Sequence, residues 1–145
     1  MLQVAMLSKW HVHAAGYARD VIATGKAKIT AVWDENVKRG EDWAKELNVD
    51  FEPDLDTLLA RNDIDAVICC TPTTMHDDVL VKVANAGKHI FTEKALSTTV
   101  DGCKKIADAI KSNDVTFTIS YPQLFNKSTK FIKSSRKMVS LPLLT

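Results

Sequence analysis

The sequence is short of several features that usually announce a function. Its 145 residues include 3 cysteines, 5 glycines and 4 prolines, and aromatic residues make up 7%. Cys69 and Cys70 are adjacent and Cys103 stands alone, which gives neither a disulfide framework nor a CxxC metal knuckle. A reducing, cytoplasmic compartment is therefore expected. No run of about 18 apolar residues is present, so no membrane span is expected. Met1–Leu7 lacks a basic n-region and a small-residue cleavage site, so it is not read as a signal peptide. Acidic residues stop at Asp114: residues 1–114 carry 14 basic and 18 acidic side chains, and residues 115–145 carry 5 basic and none acidic. That end reads as a solvated basic helix or tail. Its basic side chains fall on Lys127–Lys137, a segment with one aromatic, Phe131, and no reading motif, so it is not expected to bind nucleic acid.

What remains is the balance of a globular chain: 46% hydrophobic, 26% charged, net charge +1. The length implies one domain, large enough to fold without metal or disulfide. It is too short for a (β/α)8 barrel, which needs about 200 residues or more, and for a dehydrogenase with a full substrate domain.

Apolar runs alternate with helical periods along the chain. Strands are expected at 3–7, 28–33, 65–70, 88–92 and 115–120, with a weak one near 49–51. Helices are expected at 14–24, 37–47, 55–60 and 77–86, then from a Thr98-x-x-Asp101 cap to about 111, and at 124–137. This alternation predicts an α/β fold, a Rossmann-like doubly wound parallel sheet of six strands. Residues 1–123 form the dinucleotide-binding unit and 124–145 a basic helix or tail. Ligands of such sheets bind beyond the carboxyl ends of the strands, which directs attention to the loops after Leu7, Trp33, Cys70 and Thr92.

The first loop, Ser8-Lys9-Trp10-His11-Val12-His13, stands where a G-x-G-x-x-G fingerprint would lie, with Ser8, Trp10 and His13 in place of its glycines. Trp10 must turn its side chain away from a phosphate. The following helix N-terminus still offers N–H groups and a positive dipole end to an anion, with Lys9 or a protonated His11 as added charge. Asp34 follows His13 by 21 residues and ends the second strand, where a carboxylate bonds the adenosine ribose and repels a 2′-phosphate. NAD is thus favoured, with NADP left open by the nearby Lys38 and Arg39; Asp34 as a plain turn or cap residue is the competing reading. Thr71, Pro72 and His76 lie on the third loop, where Thr74 or His76 alternatively only begins a helix. Glu93 and Lys94 lie on the fourth; a surface salt bridge is the alternative there.

At these residues the sequence resembles the Gfo/Idh/MocA family of glucose–fructose oxidoreductases and inositol dehydrogenases. The resemblance runs from Gln3 to about Lys133. Its most specific piece is Glu93-Lys94-Ala95-Leu96, similar to the family's Glu-Lys-Pro-Leu, supported by the Thr71-Pro72 loop with His76 and by Gly87-Lys88-His89-Ile90. It implies an oxidoreductase that passes a hydride between a nicotinamide dinucleotide and a sugar or polyol hydroxyl. Lys94 would be catalytic, near nicotinamide and substrate. Glu93 would contact the nicotinamide ribose region; Ser8, Trp10, His11 and Val12 would line the pyrophosphate, and Asp34 the adenosine ribose.

Ala95 departs from the family's proline, and a trans Lys94–Ala95 bond is expected, since a cis bond without proline costs about 2.5–4 kcal/mol. Residues 134–145 do not continue the family's pattern. A truncated or frameshifted end is expected there, with the family's C-terminal α/β domain absent, little activity alone, and association as a homo-oligomer through the uncovered sheet. Three other functions compete. One is a non-catalytic nucleotide-binding module, suggested by the missing glycines. A second is a metal hydrolase, suggested by His11-x-His13 but opposed by the short chain; no metal site is expected. The third is a Cys69 or Cys70 nucleophile, opposed by their place on an apolar strand.

Overall fold

The computed structural model describes residues 1–138. Six parallel strands alternate with helices: β1 Leu2–Leu7, α1 Ala14–Thr24, β2 Ala27–Trp33, α2 Val37–Leu47, β3 Asp50–Phe51, α3 Leu55–Leu59, β4 Ala66–Cys69, α4 His76–Asn85, β5 His89–Thr92, α5 Val100–Ser112, β6 Phe117–Ile119 and α6 Lys127–Met138. The sheet order is β3-β2-β1-β4-β5-β6. This is the dinucleotide-binding order, reversing direction between β1 and β4.

The strands read as continuous apolar runs because both faces are covered. Alternate residues feed two cores. Ala5, Leu7, Val67, Cys69 and Ile90 pack under Leu58, Leu80, Val83 and Ile106 of α3, α4 and α5. Val4, Met6, Ile68 and Cys70 pack under Ala14, Ala18, Trp43 and Ala44 of α1 and α2. Cover on the second face is uneven: between Tyr17 and Val21 of α1 and Ile68, Phe91 and Thr118 of the sheet lies a trough of about 490 Å³.

Most elements fall within two residues of their expected places, with two adjustments. Thr99, not Thr98, caps α5: it has extended backbone and its hydroxyl accepts the Gly102 N–H at 2.9 Å. The last helix starts at Lys127 rather than 124, because Pro122–Phe125 form a 3₁₀ turn. Helix α6 leaves Phe131 and Ile132 exposed. Of the expected irregular end, 134–145, residues 139–145 lie outside the described residues. No helix among the described residues is long and apolar enough to cross a membrane.

Candidate functional site

The loops after β1, β2, β4 and β5 meet at the carboxyl edge of the sheet. The chain leaves β1 through Ser8, which is fully buried and holds φ +69°, a left-handed turn that favours glycine. Ser8 makes the turn of the missing glycine and compensates with its side chain: its Oγ accepts the Trp10 N–H at 3.0 Å and a guanidinium N–H of Arg39 at 3.3 Å. Trp10 and Val12 are exposed. The His11 N–H donates to the Cys70 carbonyl at 3.2 Å and moors the loop to the end of β4.

The N-terminus of α1 is uncapped. His13 makes no side-chain cap bond, and the first turn holds no acidic residue. Among the described residues, the N–H groups of Val12, Ala15 and Gly16 have no hydrogen-bond partner, whereas those of Lys9, Trp10, His11 and His13 are bonded within the loop region. The end therefore suits an anion, with fewer free donors than a glycine loop gives. Lys9 does not serve it: its ammonium pairs with Glu46 on α2 and lies 5.6 Å from the Trp43 ring centroid.

Asp34 ends β2 with its carboxylate buried and fully engaged. It accepts the Lys9 N–H and the Asn36 N–H, each at 2.8 Å, and two Arg39 guanidinium bonds at 2.9 and 2.7 Å. Arg39 also pairs with Glu35 at 2.6 Å, so two carboxylates flank one guanidinium. Gly40 permits this approach of α2. A Cβ there would lie 2.8 Å from the Asp34 Cβ and 2.4 Å from Phe51.

Thr71 is buried, its hydroxyl 3.2 Å from Cys69 Sγ, and Pro72 is half-buried. His76 is fully buried, with its ring nitrogens against the Leu96 and Thr71 carbonyls at 3.1 and 3.2 Å. It ties the loop after β4 to the loop after β5. The Cys69 and Cys70 thiols are buried and free, and burial pushes each one up in pKa, which makes them core groups rather than nucleophiles.

Glu93 is the centre of the edge. It is 1% exposed, and its Oε1 accepts the Tyr17 hydroxyl and His13 Nδ1, the latter at 2.6 Å; Oε2 accepts the Lys94 N–H at 3.1 Å. His11 Nδ1 lies 3.8 Å from Oε1. Ser120, just past β6, stands 2.8 Å behind the Tyr17 oxygen. Burial pushes the Glu93 carboxyl up in pKa, but the bonds from Tyr17, His13 and Lys94 outweigh it and hold the group below its ordinary 4.5. Burial, and then Glu93, push Tyr17 up to about 12. Burial lowers His11 below 6.5 despite the nearby carboxylate. Lys94 is exposed beside this cluster. The Lys94–Ala95 peptide is cis, not trans as expected; its flanks are held by the Lys94 N–H bond to Glu93 and the Leu96 carbonyl bond to His76.

Thus the structure gathers Ser8, Trp10, His11, Val12, Thr71, Pro72, Glu93 and Lys94 along one edge, with Asp34 beside Ser8 and His76 beneath. Sequence reasoning passed over Tyr17, which fits an apolar helix stripe, and Ser120. The available signal was the spacing of His13 and Tyr17, four apart and so on one side of the helix start.

A parallel sheet in the order 3-2-1-4-5-6, with an uncapped helix N-terminus at its reversal point and an acidic residue ending β2, defines a Rossmann-type dinucleotide-binding domain. The model of the Gfo/Idh/MocA family, an oxidoreductase family with an NAD-binding Rossmann fold, matches residues 10–121, and the chain belongs to that family. The 2,7-anhydro-N-acetylneuraminate hydratase of Mediterraneibacter gnavus is 33% identical over 107 residues, 74% of this chain and 28% of that protein. The scyllo-inositol 2-dehydrogenase (NAD(+)) of Bacillus subtilis is 34% identical over 101 residues, 69% of this chain and 30% of that protein. In fold, the apo scyllo-inositol dehydrogenase of Lactobacillus casei matches with a TM-score of 0.82 at 23% identity, over 95% of this chain and 42% of that one. The chain spans about 30% of the length of the curated relatives it matches.

Proposed function

We propose that this chain supplies the cofactor half of an oxidoreductase that moves a hydride between a nicotinamide dinucleotide and a hydroxyl of a sugar or polyol. The observation that carries the reading is the placement of Glu93 and Lys94. They sit at the carboxyl end of β5, tied through His13 and Tyr17 to the helix end suited to an anion. When bound, the nicotinamide supplies the hydride acceptor. The N–H groups of Val12, Ala15 and Gly16 take the pyrophosphate, with Ser8, Trp10 and His11 shaping the loop beneath it and Thr71 and Pro72 forming the adjacent wall. Glu93 orients the nicotinamide ribose region. Lys94 Nζ holds the substrate hydroxyl and assists the proton transfer that accompanies hydride transfer. His76 acts indirectly, by fixing the Thr71 and Leu96 carbonyls.

Asp34 and Arg39 face the adenosine end. With Asp34 and Glu35 both on Arg39, the local charge is negative, which disfavours a 2′-phosphate and favours NAD over NADP. Calorimetric titration of the chain with NADH and then NADPH tests this. Saturable NADH binding, weaker for NADPH and weakened by Asp34→Ala, is expected. No NADH binding at millimolar concentration overturns the reading. A non-catalytic nucleotide-binding module is the second reading, favoured by the loop N–H groups already bonded internally. It requires NADH binding with no hydride exchange to any polyol in a chain carrying the full length of the relatives; the primary reading expects exchange, lost in Lys94→Ala.

A further inference from the structure

The dinucleotide reading uses His11 and His13 only to shape and tie the loop after β1, and gives their imidazoles no ligand. Both imidazoles lie beside the buried Glu93 carboxylate, and His11, His13 and Glu93 bring one ligand atom each within 4.8 Å of one another. We infer that these three residues form a binding site for a divalent transition metal of the zinc class, with one coordination position open to an oxygen ligand.

Four observations carry this. First, the donor set is two imidazoles and one carboxylate, which suits zinc and its neighbours rather than magnesium or calcium. Second, the spacing is near that of a bound ion. Metal bonds of about 2.0–2.1 Å in a tetrahedral site place ligand atoms about 3.3 Å apart. His11 Nδ1 stands 3.8 Å from Glu93 Oε1, and His13 Nδ1 at 2.6 Å shares a proton with the same oxygen. On binding, that proton leaves and the pair opens by less than 1 Å, a shift that the half-exposed His13 ring can make.

Third, the carboxylate is oriented from behind, as metal-bound carboxylates usually are. The Tyr17 hydroxyl and the Lys94 N–H hold it, with Ser120 behind Tyr17. The single lone pair of His11 Nδ1 accepts the His13 N–H at 3.2 Å, and a bound ion takes the place of that one bond. Fourth, the set is incomplete in the way of an open rather than a closed site. Three protein ligands converge, Glu93 buried, His11 at 16% and His13 at 50% side-chain exposure, so the site is reached from solvent on the His13 side. A water, a hydroxyl or a phosphate oxygen fits there.

The test uses the untagged, chelator-treated chain with no dinucleotide present, so its result is separate from the cofactor reading. Zn²⁺ is titrated by calorimetry and Co²⁺ by visible spectroscopy. One ion per chain is expected, with cobalt d–d bands of four or five ligands and no thiolate charge-transfer band. His11→Ala and His13→Ala should each abolish saturable binding while circular dichroism shows the fold retained. Tyr17→Phe should weaken binding by about 10-fold, as loss of an outer hydrogen bond to a ligand does. His89→Ala, at the opposite end of β5, should leave it unchanged. Absence of saturable binding, binding that survives His13→Ala, or a thiolate band from Cys103 would each overturn the site.

Discussion

Glu93 shows how a single side chain sets both stability and chemistry at this edge. A carboxylate removed from water is costly unless its lone pairs are filled, and here Tyr17, His13 and the Lys94 N–H fill them. Tyr17→Phe takes away one charge-assisted bond without changing packing. It is expected to cost about 1.5–3 kcal/mol, read as a lower urea midpoint at unchanged m-value. The depressed carboxyl also makes stability depend on pH. Its folded pKa lies below the ordinary 4.5, so its contribution is complete above pH 4.5 and is lost as pH falls through the folded value. Urea midpoints below pH 4.5 should fall more steeply for the natural chain than for Glu93→Gln. The Glu93-Lys94 pair was legible in the sequence, because two charges at a strand's carboxyl end serve a core badly. Tyr17 was not, because a tyrosine with an apolar body and a polar tip fits an amphipathic stripe equally well.

At the scale of elements, alternation of period placed strands and helices well, and close approaches between elements were what it could not give. Thr98 and Thr99 are equivalent as caps by residue type. The choice falls to Thr99, which sets Gly102 where a Cβ would meet Asp77 Oδ2 and Ser97 Oγ, both at 2.2 Å. Gly40 is a similar case on α2. Helix propensity favours alanine there by about 1 kcal/mol, but the added Cβ would overpack Phe51 and Asp34, at a cost of about 1–3 kcal/mol. Gly40→Ala should therefore lower stability in urea, and because Asp34 is displaced it should weaken NADH binding in the same variant. The loop after β1 follows the same logic. Its missing glycines were plain in the sequence, but that Ser8 would keep the left-handed turn and bond its own loop depended on Trp10 and Arg39 lying within reach.

Across the whole molecule, the sheet order accounts for what sequence reasoning could and could not assemble. Six alternating units imply the doubly wound sheet, and that sheet implies a site at the carboxyl edge. The order then sets β4 between β1 and β5, so His11, His13 and Glu93 meet across the end of a strand that contributes none of them. No local pattern records that meeting. The same sheet places the two neighbouring cysteines of β4 and its end in different cores: Cys69 under α3, α4 and α5, and Cys70 under α1 and α2. Each layer thus carries its own internal clock. Both thiols are buried, so alkylation requires the layer above to open, and the rate of labelling times that opening. In a Cys103→Ser background with either Cys69 or Cys70 replaced by alanine, iodoacetamide labelling followed by intact mass should reach Cys70 first, because the α1 side leaves part of the sheet uncovered. Equal rates would mean that the two layers breathe as one cooperative unit. Faster labelling of Cys70 would make α1 and α2, which carry the dinucleotide loop and the Asp34 contact, the half of the protein that opens most readily.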